Sequence, residues 1–167
     1  MIRYWQRRFR EGIKTQNLKF DKEIAQIRKD LRNEVAKKFA GSLAIRMVDS
    51  GSCNACEAEC NALSNPYYDL ERLGIYFVAS PRHADVLLVS GVVTFNMYHH
   101  LLDAYEQLPD PKWVVTLGGC AAGEIFAQGF AIKGPVHKIL PVTHHIPGCP
   151  PSPEDIIAGL LTFIKKL

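Results

Sequence analysis

Five cysteines punctuate this chain, and their spacing is uneven. Three fall in the stretch GSCNACEAEC, as Cys53, Cys56 and Cys60, while Cys120 and Cys149 stand alone far downstream. A Cys-x-x-Cys pair joined by distant single thiols suits a metal centre assembled from several loops, because thiolates are soft ligands for both zinc and iron–sulfur clusters. An odd number of cysteines with no recognisable export signal points to reduced thiols in the cytosol, where metal binding or redox chemistry explains such clusters better than structural disulfides do. The stretch RRFR superficially resembles a twin-arginine signal, but EGIKTQNLKFDKE follows where an apolar segment would have to be.

Whether these thiols can meet depends on the elements between them. From Leu43 onward, short apolar runs alternate with longer amphipathic ones. LAIRMV (43–48), IYFVA (75–79), DVLLVSG (85–91), KWVVTLG (112–118) and KILPV (138–142) read as strands, rich in Val, Ile and Leu and bounded by Gly, Pro or Ser. FNMYHHLLDAYEQL (95–108) carries Met97, Leu101, Leu102 and Tyr105 on one helical face. SPEDIIAGLLTFIKKL (152–167) opens with a Ser cap, Pro in the first turn and acidic residues close behind. Residues 53–74 leave room for a short helix and a turn, and residues 120–137 are interrupted by glycine. Near-continuous apolar strands with crossovers between them imply an α/β fold with a parallel sheet covered on both faces, most simply a flavodoxin-like, doubly wound domain.

Composition agrees with one such domain. A chain of 167 residues that is 47% hydrophobic can build a full core. Its apolar runs are about half of the roughly 20 residues needed to cross a bilayer. Charge is unevenly placed: residues 1–40 hold twelve Lys or Arg against five Asp or Glu, so the basic excess belongs to the N-terminal part. There, Phe20, Ile24, Ile27, Leu31 and Val35 recur at helical spacing, with Gly41 as a C-cap. The expected organisation is a basic, amphipathic helical arm over 1–42 followed by the α/β domain over 43–167. The arm can pack on its own domain, on another subunit or on an anionic membrane surface. It lacks the recurring stacking aromatics of a nucleic-acid binder.

Open parallel sheets place ligand sites beyond the carboxyl ends of their strands. Cys53 and Cys56 follow the first expected strand, Cys120 the fourth and Cys149 the fifth, so four thiols can converge on one rim. Such a set suits an iron–sulfur cluster or a tetrahedral zinc, with ordinary buried cysteines as the third possibility. Structural zinc sites are usually built from two close pairs in a core-poor module, whereas this chain has one pair, two singles and an ample core.

The segments GSCNACEAE, YDLERLGIYFVASPRHADVLLVSGVVT, DPKWVVTLGGC and ILPVTHHIPGCPPSPEDIIAGLL together resemble the iron–sulfur small subunit of membrane-bound, energy-converting [NiFe] hydrogenases, including the formate hydrogenlyase type. They also resemble the homologous 20 kDa subunit of respiratory complex I. The resemblance runs from about residue 43 to the C-terminus. It implies one [4Fe–4S] cluster held by Cys53, Cys56, Cys120 and Cys149, and an oxidoreductase subunit that relays electrons without substrate chemistry of its own. The implied partners are a hydrogenase-type large subunit, a ferredoxin-like iron–sulfur subunit and membrane subunits of the same complex, with peripheral attachment at the cytoplasmic face of the membrane. Complex I subunits have two adjacent cysteines where this chain has Cys53-Asn54-Ala55-Cys56, which favours the hydrogenase branch. A complex I-like subunit serving a quinone or another acceptor without a nickel partner, and a zinc-stabilised interaction module, are the alternatives.

Other residues are weighed beside this set. Cys60 is one helical turn beyond Cys56 and can reach the site or be a small buried hydrophobe; the family pattern needs only four thiols. Glu59 matches the family's acidic residue after the pair and stands either as a proton-coupling carboxylate or as an interface charge. Arg82 and His83, in SPRHAD, can serve the cluster region or only a turn. His99-His100 and His144-His145 invite a metal reading, but adjacent histidines in a strand point to opposite faces. Gly118 and Gly119 let the backbone pass a bulky group beside Cys120, and Pro147, Pro150 and Pro151 stiffen the loop around Cys149. Nucleotide-binding loops and Ser-His-Asp order are missing from the sequence.

Overall fold

The computed structural model describes residues 5–6, 9–10, 22–125 and 128–167. Among the described residues seven strands follow in chain order: β1 (Leu43–Asp49), β2 (Ile75–Phe77), β3 (Val86–Ser90), β4 (Val93–Thr94), β5 (Trp113–Leu117), β6 (Ile132–Gly134) and β7 (Val142–Ile146). Five of them form a parallel sheet in the order β2, β1, β3, β5, β7. Taken along the chain, these five have the 2-1-3-4-5 order of the flavodoxin-like doubly wound fold. The remaining two, β4 and β6, make a small antiparallel pair. Around the sheet lie α1 (Lys22–Lys38), α2 (Ala55–Ala62), α3 (Phe95–Glu106), the short α4 (Gly119–Ala122) and α5 (Pro153–Lys166).

The period of two along each strand divides the interior into two layers. Val86 and Leu88 of β3 enter one core with Leu43, Ile45, Val115 and Leu117, whereas Leu87 and Val89 enter the other with Val48 and Val114. Every residue of β3 is buried, as a central parallel strand covered on both faces requires. The first layer takes the apolar faces of α1 and α5, and the second takes that of α3. Leu31 and Val35 of α1 are fully buried in the first layer. The Lys38 ammonium donates to the Ile164 carbonyl at 2.6 Å, so α1 also closes the open C-terminal turn of α5. Phe20 of the expected arm, with most of residues 1–21, lies outside the described residues.

Helix α5 shows how local signals and packing combine. Ser152 and Asp155 form a reciprocal capping box, with Pro153 opening the first turn. Seven of its residues are buried, among them Ile156, Leu160 and Phe163. At roughly 1.5–3 kcal/mol for a fully buried large side chain, this burial outweighs the cap and fixes where the helix lies.

The fifth sheet strand stands later than the sequence suggests. Residues 136–138 form a 3-10 turn, and β7 runs through VTHHI instead of KILPV. Pro141 cannot donate to a ladder, while the polar residues Thr143, His144 and His145 can. The register slips by one residue after Val142, so that Val115 faces His144 and Thr116 faces His145.

Candidate metal centre

All five sheet strands run the same way, so the loops after β1, β5 and β7 open on one rim. Cys53 lies in the loop after β1, Cys56 in the first turn of α2, Cys120 at the start of α4 and Cys149 in the loop after β7. Local hydrogen bonds shape each loop. The Asp49 carboxylate accepts from the backbone N–H groups of Gly51 and Ser52, both at 2.7 Å, and turns the chain out of β1. The Ser52 hydroxyl accepts from the Asn54 N–H at 3.0 Å just before α2 starts. Between β5 and β7 the ladder continues past the strands: Gly118 N–H donates to the Ile146 carbonyl and Gly119 N–H to the Gly148 carbonyl, each at 2.9 Å. Two further rungs thus carry the pairing almost to Cys120 and Cys149.

Electrostatics link Cys56 with Cys120, Cys53 and Cys149, and Cys120 with Cys149 and Cys53. Burial first, then Glu57 and the charges that Cys120, Cys53 and Cys149 can carry, pushes the Cys56 thiol up to about 11. Cys120 is also raised, by burial and then by Cys149 and Cys53, with a smaller contribution from a hydrogen bond to Cys149. Cys53 and Cys149 are exposed, and Cys56 and Cys120 are half-buried. Among the described residues, no group of three or more His, Cys, Asp or Glu side chains is placed to hold a metal ion. The donor set is all sulfur, and a cradle lies beside it: Gly118 has φ of 82°, and a Cβ built there would stand 2.7 Å from the Cys56 sulfur. Room beside Cys56 exists only because residue 118 has no side chain. At Gly148, where φ is 135°, a Cβ would meet Pro151 Cα at 2.6 Å, so the Cys149 loop folds back tightly on its own backbone.

Cys60 differs from the other four. It is 2% exposed, belongs to the first core layer and is pushed up to about 12, first by burial and then by Cys56. A thiol so resistant to ionisation behaves as a small hydrophobe. Arg82 and His83 are exposed in the turn before β3. That turn is at the amino end of the strand, whereas Ser90 at its carboxyl end reaches the cysteine loop. The two histidines of β7 do point to opposite faces: His144 stacks on Phe163 of α5, and His145 Nδ1 lies 2.9 Å from the Thr116 hydroxyl.

Two residues gain importance that the sequence alone did not give them. The Ser90 hydroxyl donates to the Glu57 carboxylate, whose second oxygen is buried with no partner among the described residues. Glu57 adjoins Cys56 and is the second largest cause of its raised pKa. The signal present in the sequence was only a carboxylate next to a cysteine. What singles it out is Ser90, which arrives from the neighbouring strand β3.

Comparison with known proteins places these features in a family. Residues 53–163, beginning at the first cysteine of the pair, match the family described as NADH ubiquinone oxidoreductase, 20 Kd subunit. A probable membrane-bound hydrogenase subunit of Pyrococcus furiosus is 44% identical over 144 residues, spanning 84% of this chain and 86% of that protein. Formate hydrogenlyase subunit 7 of Escherichia coli is 42% identical over 148 residues, covering 88% of this chain and 56% of that protein. Among solved structures, a chain of the membrane-bound sulfane sulfur reductase, an archaeal respiratory membrane complex, superposes with a TM-score of 0.66 at 33% identity, over 82% of this chain and 75% of that one. The sheet order, the Cys-x-x-Cys start of the match and these relatives agree: the chain belongs to the NADH ubiquinone oxidoreductase 20 Kd subunit family and is an oxidoreductase subunit.

Proposed function

We propose that this chain is the electron-transfer small subunit of a membrane-bound [NiFe] hydrogenase-type complex, and that Cys53, Cys56, Cys120 and Cys149 hold one [4Fe–4S] cluster. The observation that carries this reading is that Cys53, Cys120 and Cys149, from the loops after three different strands, all act on the Cys56 thiol. The all-sulfur donor set and the space that Gly118 leaves beside Cys56 support it. A cluster bound there would supply one-electron transfer. The chain's own part is to fix four ligands on a rigid sheet rim and to limit solvent at Cys56 and Cys120. With Cys56 raised to about 11, its thiol keeps its proton near neutral pH until a cationic centre displaces it.

The exposed outer thiols, Cys53 and Cys149, support a partner seated over the rim. We assign that place to a hydrogenase-type large subunit, with a ferredoxin-like subunit exchanging electrons and membrane subunits anchoring the whole. Among the described residues no helix is long and apolar enough to cross a membrane. Attachment in this reading is therefore peripheral, through the partners, at the cytoplasmic face.

The test is iron and sulfide analysis, with an absorption spectrum, of the complex purified without oxygen. About four iron and four sulfide per chain is the expected result, whereas stoichiometric zinc without iron would favour a zinc-stabilised interaction module. A second reading, in which the large subunit reduces another acceptor, is favoured by the similarity to the sulfane sulfur reductase chain. Hydrogen-dependent dye reduction by the iron-loaded complex separates the two, since only the hydrogenase reading requires it.

A further inference from the structure

Beyond the four thiols, β5 and β7 contain a polar pair, Thr116 buried and His145 half-buried, for which that reading has no use. Thr116 is 2% exposed and, among the described residues, is one of three buried polar residues, with Ser50 and Ser90. Its hydroxyl lies 2.9 Å from His145 Nδ1 and 3.5 Å from the His144 carbonyl oxygen. A hydroxyl has one proton to give. If that proton goes to the His144 carbonyl, Nδ1–H of His145 donates to Thr116 Oγ1, and the pair satisfies both strands. His145 Nε2 is buried and has no partner among the described residues.

The position of the pair is more telling than its chemistry. Thr116 and His145 are direct cross-strand partners on β5 and β7. Each stands four residues before a cysteine, Thr116 before Cys120 and His145 before Cys149. The Leu117–Ile146 pairing and the Gly118–Ile146 and Gly119–Gly148 backbone bonds lie between the pair and the two thiols. Strand β7 has its register slip between Val142 and His144, and three of its five residues are polar. A strand with so little apolar pattern specifies its own register weakly. A directional side-chain bond is what can lock it, and this one sits just past the slip.

We propose that Thr116 and His145 form a positioning pair that fixes the separation of the Cys120 and Cys149 loops, and so sets the redox equilibrium of the cluster they share. The inference rests on the cluster assignment above. Ligand geometry and hydrogen bonding around the sulfurs are among the levers by which a protein tunes such a centre. Neither residue is a ligand; both act through the two cysteines.

The test compares Thr116→Val, His145→Phe, the double variant and Thr116→Ser in the purified complex, reading iron content, the electron paramagnetic resonance spectrum and a redox titration. In the expected result, Thr116→Val and His145→Phe each change the reduced-to-oxidised ratio at a fixed potential by about tenfold, or about 59 mV for one electron. The double variant matches either single one, and Thr116→Ser restores the wild-type ratio. Full iron with unchanged spectra and ratios in both single variants overturns the proposal. If His145→Phe fails to assemble, Thr116→Val against Thr116→Ser decides alone. Iron loss confined to the Val variant supports the pair, and equal loss in both overturns it. Wild-type complex without iron would sink the cluster assignment itself, whereas iron-loaded wild type with unmoved variants sinks only this inference.

Discussion

Gly118 and Cys56 approach so closely that a methyl group added to the glycine would lie 2.7 Å from the cysteine sulfur. The contact joins the residue after β5 to the first turn of α2. Gly118 also holds φ at 82°, which side-chain-bearing residues rarely adopt. Gly118→Ala therefore combines a clash with backbone strain of order 1–3 kcal/mol. The expected outcome is a complex that loses most of its iron, measured by iron analysis, together with a lower thermal midpoint. Full iron in this variant would show that Cys56 has freedom to move away.

Much of this arrangement is legible in the sequence, and the part that is not has physical reasons. Strand β3 announces itself as VLLVS because a strand buried on both faces must be apolar throughout. Helix α5 does so through Ser152, Pro153 and Asp155, whose capping roles are local. The cysteines fall at strand ends, and a parallel sheet turns that into one rim. By contrast, β7 carries Thr143, His144 and His145 where a strand reading seeks Val and Ile, so the more apolar KILPV draws the assignment four residues too early. Its true place is settled by pairing with β5, a contact with a residue some thirty positions away. Ser90 and Glu57 escape notice for the same reason, since their bond joins two strand ends that only the folded chain brings together.

Cys60 differs from the four thiols proposed as ligands. It is buried in the core, and its thiol is pushed up to about 12. Cys60→Ala is expected to leave iron content unchanged while costing about 1 kcal/mol of stability from the small cavity. Cys56→Ser or Cys120→Ser is expected to abolish most of the iron and the visible absorption. Iron lost equally from Cys60→Ala would move Cys60 into the ligand set.

The capping box of α5 follows directly on the Cys149 loop. Ser152 Oγ accepts from the Asp155 N–H at 3.2 Å and donates to the Asp155 carboxylate at 2.7 Å. Ser152→Ala removes both and should cost about 1 kcal/mol, read as a shift of the denaturant midpoint with unchanged slope. The seven buried side chains of the helix remain, so the fold should persist. A changed slope would instead mean that α5 frays and exposes surface.

His144 should make the stability of this domain depend on pH. Its ring stacks on Phe163 with centroids 6.3 Å apart, and Lys166 Nζ lies 3.5 Å from its Nδ1. Burial first, and then the charges of Lys166 and His145, holds its pKa below the ordinary 6.5. The folded state therefore binds this proton less readily than the unfolded chain does. Above about 6.5 both states are neutral at this site and the contribution is fully present. As pH falls below that value the unfolded chain takes up the proton first, and stability is lost until the pH passes the folded pKa. His144→Gln removes the titration, so its thermal midpoint should fall less than that of wild type between about pH 7.5 and about pH 5.5. Parallel curves for the two proteins would assign the acid sensitivity to another group.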